Sequence, residues 1–135
     1  MQLPLYLADI FEQFHGKLVG KKKMQYHVLE VLSQMPDNIV GKITRTTWFF
    51  ASMEDAWAFT FTGNDLKDHH LIFLSDELLD QDTNQIHYTI AHEIGHIILG
   101  HKNSVFAKQS KAEIQKQEKE ADNFARRYLN LSSRT

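Results

Sequence analysis

Between residues 4 and 18 the apolar positions Leu7, Ile10, Phe11, Phe14 and Leu18 recur at helical spacing, which predicts an amphipathic helix with one face on a core. The same rhythm returns at Val28, Leu29, Leu32 and Met35, so residues 24–35 read as a second helix. Pro36-Asp37 breaks it and starts another short helical turn. The period then changes. Residues 46–52, 57–62 and 70–75 are rich in aromatic and branched side chains, with turn signals between them at Met53-Glu54-Asp55 and Gly63-Asn64-Asp65. They predict a small antiparallel meander, with the N-terminal helix lying across its back. Ser75-Asp76-Glu77-Leu78 reads as a capped helical turn closing the third strand, and Asp82-Thr83-Asn84 as the cap of the helix that follows.

That next helix is strongly apolar around Ala91-His92-Glu93-Ile94-Gly95-His96-Ile97-Ile98-Leu99. Residues 102–111 are polar and without period, so they read as a loop, one placed to rim a cleft between the helices it joins. The last segment, 112–131, is wealthy in Ala, Glu, Lys, Gln and Arg and lacks Gly and Pro, and it predicts a closing helix. Helices, then a sheet, then two helices make an α+β layout. With 135 residues and 42% hydrophobic content, the whole of 1–135 is expected to be one compact domain with a single core.

The apolar helix carries an H-E-x-x-H motif. Its histidines, four apart, stand about 40° from each other around a helix of 3.6 residues per turn, so both imidazoles reach one ion from one face. Glu93 lies beside that face as the expected general base for a metal-activated water. A catalytic zinc needs a third protein ligand and an open fourth position. His101 is one source, but its spacing misses the three-histidine pattern by one residue, and on a continued helix it would point about 180° away from His92. The better source is the closing helix. Its apolar stripe runs through Ile114, Ala121, Phe124, Ala125 and Tyr128 and contains Glu118, whereas Glu113 and Glu120 point elsewhere. A carboxylate on a buried face needs a partner or a metal, which singles out Glu118. Asp122, one turn on, is the natural carboxylate to accept the free ring N–H of a zinc-bound histidine and hold its tautomer.

The run Tyr88-Thr-Ile-Ala-His-Glu-Ile-Gly-His-Ile-Ile-Leu-Gly-His101, followed by Glu118-Lys-Glu-Ala-Asp-Asn-Phe-Ala125, resembles the ImmA/IrrE family of metallopeptidases. The resemblance spans residues 88–129, about a third of the chain, and its specific part is the H-E-x-x-H helix joined to E-x-E-A-[ND]-x-F-A. It implies a gluzincin-like, zincin-type fold, zinc held by His92, His96 and Glu118, Glu93 as base, and a protein substrate such as a transcriptional repressor.

Charge and composition narrow the rest. A net charge of −2 argues against general nucleic-acid binding, and Gly20-Lys21-Lys22-Lys23 is more simply a solvated turn than a phosphate site. With no cysteine there is neither a disulfide framework nor a thiolate metal site. No secretory pattern opens the chain and no stretch is long enough to span a bilayer, so the expectation is a soluble, cytoplasmic protein. Trp48 and Trp57 read as sheet packing rather than substrate platforms. His69, His70, His87, Tyr88 and Tyr128 are the candidate donors to an oxyanion, although each taken singly is more simply a packing residue. A zinc peptidase acting on a protein or peptide is the leading expectation. The competing one is a non-catalytic zinc-binding regulatory module on the same fold, which would have no use for Glu93 beside an open metal position.

Overall fold

The computed structural model describes residues 3–51, 69–100 and 110–129. In chain order the elements are α1 (Leu5–Gln13), β1 (Leu18–Gly20), α2 (Lys22–Ser33), α3 (Asp37–Thr46), β2 (Thr47–Ala51), β3 (His70–Leu74), a 3₁₀ turn (Asp76–Asp80), α4 (Thr83–Ile98) and α5 (Lys111–Tyr128). The fold is α+β.

The first helix stops earlier than its stripe predicts. His15 and Gly16 both take positive φ, 49° and 86°, a left-handed ending that no further helical turn can follow. Phe14 and Leu18 are therefore buried from a cap and from β1, while Phe11 remains partly exposed. α1 packs on α2 and α3 and meets the sheet through Phe14, whose ring stands edge-on to Phe49 at 5.7 Å. The turn expected after Pro36 is a ten-residue helix, α3, with Ile39, Val40 and Ile43 in the core. Lys21, from the basic run, precedes α2 and pairs with Asp76 of the 3₁₀ turn at 3.0 Å.

The sheet has the order β1-β2-β3 and is parallel throughout, with Leu18 opposite Phe49 and Thr47 opposite His70. This corrects the antiparallel meander. Alternating aromatic and branched residues mark a strand but carry no information on its direction, and parallel neighbours cannot be joined by a tight hairpin turn. The predicted strand 57–62, both turn signals and Trp57 lie outside the described residues. Phe49, Ile72 and Leu74 enter the core, and on the other face Trp48, Phe50 and Phe73 stack in a row, with centroids 6.2 and 5.1 Å apart. Trp48 is thus sheet-face packing.

α4 is held on several sides, by α5 above all, then α2, with lighter contact to α3 and β3. Its start is capped as expected: the Asp82 carboxylate accepts from the Gln85 N–H at 2.8 Å. Ile86, Ile90, Ala91 and Ile94 form its buried face. Ser110 caps α5 in the same way, accepting from the Glu113 N–H at 3.1 Å while its hydroxyl donates to Glu113 Oε1 at 3.2 Å. No helix among the described residues is long and apolar enough to cross a membrane.

Candidate metal centre

Two turns of α4 and two of α5 build the site. His92 and His96, four apart, stand with ring centroids 4.8 Å apart and Nε2 atoms 3.2 Å apart. Glu118 of α5 brings Oε2 to 2.7 Å from His96 Nε2 and 3.4 Å from His92 Nε2. These three donor atoms converge closely enough to hold one metal ion. A tetrahedral ion about 2.0–2.1 Å from each donor would set the donors about 3.3 Å from one another, and the observed separations of 2.7–3.4 Å bracket that value. The donor set suits the group as well. Neutral imidazole nitrogens and a carboxylate are zinc's usual non-thiolate ligands, and one cation offsets the Glu118 charge while occupying both nitrogen lone pairs.

Glu118 reaches this position by a different route from the one its stripe suggests. Ile114 is 46% exposed and the Glu118 side chain 53% exposed, so the buried run of α5 starts at Ala121 and continues through Phe124 and Ala125. Helical period gives the angle of a residue around its axis but not the point along the axis where packing begins. Glu118 sits one turn before the buried run, at its edge, directed at α4 rather than sunk in the core.

Behind His92, Asp122 places Oδ1 3.0 Å from the buried Nδ1, close but not aligned as a hydrogen bond. The Tyr88 hydroxyl, one turn before His92 on α4, donates to the same carboxylate oxygen. Tyr88 therefore fastens Asp122, a use its place among the oxyanion candidates does not reveal. Burial pushes the Tyr88 phenol up to about 12, helped by its hydrogen bond to Asp122 and by that carboxylate's charge. A phenol raised from its ordinary 10 keeps its proton in the fold after the unfolded chain has lost it. Its stabilising share is thus complete below pH 10 and is lost as pH rises through about 12. Alkaline titration of tyrosinate absorbance should show one late tyrosine that Tyr88→Phe removes; an unchanged titration curve in that variant would contradict the assignment.

Glu93 is half-buried and walls a cavity of about 290 Å³ together with Thr89, one turn earlier, and Phe73, Leu74, Ser75, Glu77, Leu78 and Gln81. The end of β3 and the 3₁₀ turn supply the opposite wall. Two of the other sequence candidates are engaged elsewhere. His87 pairs with His27 of α2. Tyr128 packs against Phe124, the rings tilted by 60° at 4.9 Å, with the Arg127 guanidinium over its ring. His69 and His70 stand at the start of β3. His101 and residues 102–109 of the predicted loop lie outside the described residues.

Gly95 has a role that the motif alone does not reveal. A Cβ built there would come 2.9 Å from Phe124 Cδ1 and 3.2 Å from its Cβ, so the missing side chain is what lets α5 approach α4 closely enough for Glu118 to reach His96. A glycine inside a helix is the signal that could have found it. Gly95→Ala gains about 1 kcal/mol in helix propensity but forces an overpacking that costs about 1–3 kcal/mol, and the anchored Phe124 Cβ leaves little room to yield. We expect a lower Tm and at least tenfold weaker zinc binding, read by thermal unfolding and competitive titration. A raised Tm with unchanged zinc affinity would contradict this packing account.

Among known families, the model of peptidase U49 matches residues 83–134, which is under half of the chain. The match takes in α4, α5 and every residue of the metal centre, and it supports a peptidase-family assignment. No curated protein and no solved structure matches the chain.

Proposed function

We propose that the protein is a zinc-dependent endopeptidase of zincin type. The observation that carries this reading is the convergence of His92 Nε2, His96 Nε2 and Glu118 Oε2 on one point, on a helix whose Glu93 opens on a cavity. The three would hold zinc with a fourth position open. When bound, zinc supplies Lewis-acid chemistry, acidifying a water and polarising a peptide carbonyl. The Glu93 carboxylate takes the proton of the attacking water and passes it to the departing amine nitrogen. Asp122, steadied by Tyr88, lies 3.0 Å from His92 Nδ1, where its charge favours the ring's N–H on that side and leaves Nε2 for the ion. The peptidase match supports a protein or peptide as substrate. The resemblance of residues 88–129 to ImmA/IrrE extends the proposal to a regulatory protein such as a repressor, cleaved in the cytoplasm.

The test is to incubate the zinc-loaded protein with a proteome-derived peptide library and count new termini by mass spectrometry. The expected result is a sequence-selective set of cleavages that chelation abolishes and added zinc restores. Cleavage indifferent to chelation, or none at any zinc level, would overturn the proposal.

A further inference from the structure

Away from the triad, α2 and α4 face each other through a second pair of histidines. His27 Nδ1 lies 3.1 Å from His87 Nε2, and the ring centroids are 5.2 Å apart with the planes inclined by 66°. The sequence separates these residues by sixty positions, and neither belongs to the H-E-x-x-H constellation. The nitrogen spacing nearly equals the 3.2 Å between the two imidazoles of the metal centre. Two imidazoles on one tetrahedral ion have donors about 3.3 Å apart and centroids about 5 Å apart, so the spacing of this hydrogen-bonded pair also matches that of two ligands on one ion. Glu30 follows His27 by three residues on α2, on the same helix face, and its charge is felt by both rings. The same carboxylate, one turn on from Tyr26, raises that phenol above its ordinary value.

We propose that His27 and His87 form a second metal site, one that takes a divalent transition ion such as zinc and fastens α2 to α4, with Glu30 as the nearby carboxylate that offsets its charge. Nitrogen donors select zinc, nickel or copper over calcium and magnesium. Burial is the main cause that lowers both histidines from their ordinary 6.5, so each is neutral at pH 7 and its lone pair is available. The ion-free pair shares one proton, on His27 Nδ1 or on His87 Nε2. Binding moves that proton to the other nitrogen of the same ring, so at neutral pH the site takes up its ion with no net proton released. With two imidazoles against the triad's two imidazoles and a carboxylate, this is the weaker of the two sites. Its ion would tie down α4 five residues before His92, stiffening the helix that carries the metal centre.

The test uses the full chain, stripped of metal and dialysed against zinc at pH 7.5, with bound metal counted by mass spectrometry. A His92→Gln/His96→Gln variant should keep one equivalent, and adding His27→Gln or His87→Gln to it should remove that equivalent. Long-range ¹⁵N–¹H spectra of the wild-type imidazoles provide a readout independent of whether the variants fold. Zinc beyond the first equivalent should shift His27 Nδ1 and His87 Nε2 together. Spectra in which excess zinc leaves both nitrogens unmoved, or an equivalent that persists in the folded His27 and His87 variants, would reduce the pair to a structural hydrogen bond and overturn the proposal.

Discussion

Glu93→Gln should retain its zinc and its fold while losing hydrolysis by about 10²- to 10⁴-fold, the range over which a positioned general base contributes. The amide is nearly the same size and shape as the carboxylate, but it offers no site for a water's proton at neutral pH. Glu93 is not one of the three converging donors, and its side chain faces the cavity between α4 and the end of β3, so the substitution removes neither a metal ligand nor a core contact. The same peptide library, with equal bound zinc verified in both proteins, gives the measurement. Wild-type cleavage rates in the variant would remove Glu93 from the chemistry, and loss of zinc would show that it acts as a ligand instead.

The second large effect is on metal affinity, and the acids of α5 provide its internal controls. His96→Ala and Glu118→Ala each cut three donors to two and should weaken zinc binding most. Asp122→Asn leaves every donor in place but loses the charge beside His92 Nδ1, and should weaken binding by about 10- to 100-fold. Glu113→Ala should change affinity little, because that carboxylate is engaged by the Ser110 cap. Glu120→Ala should behave likewise from an exposed position on another face. Competitive zinc titrations rank the five variants; a greater loss at Glu113 or Glu120 than at Glu118 would mean that α5 presents a different face to α4.

How much of this was legible in the chain depends on the range of each interaction. H-E-x-x-H is local: helical period alone sets His92 and His96 on one face, and the structure has their nitrogens 3.2 Å apart. The cap of α4 is local in the same sense, since Asp82 bonds three residues ahead; Ser110, which read as loop, does the same for α5. The structure brings Glu118 beside the histidines, 2.7 Å from His96, although the burial argued for it is absent: its side chain is 53% exposed, so proximity rather than desolvation marks it. Strand direction was not legible, because β2 and β3 look the same in either orientation until their pairing is seen. β1 was not foreseen: Leu18 read as the end of the first helix and Gly20 as part of a turn, because the end of that helix depends on the backbone of His15 and Gly16 rather than on an apolar stripe. The His27–His87 contact and the Gly95–Phe124 approach are tertiary, made between helices whose packing no local pattern encodes.

The central claim is the metal centre itself, and anomalous diffraction at the zinc edge from crystals grown with one equivalent of zinc tests it most directly. The account predicts one strong peak bonded to His92 Nε2, His96 Nε2 and a Glu118 carboxylate oxygen, at about 2.0–2.2 Å from each. A peak held by other residues, or none between α4 and α5, would contradict it.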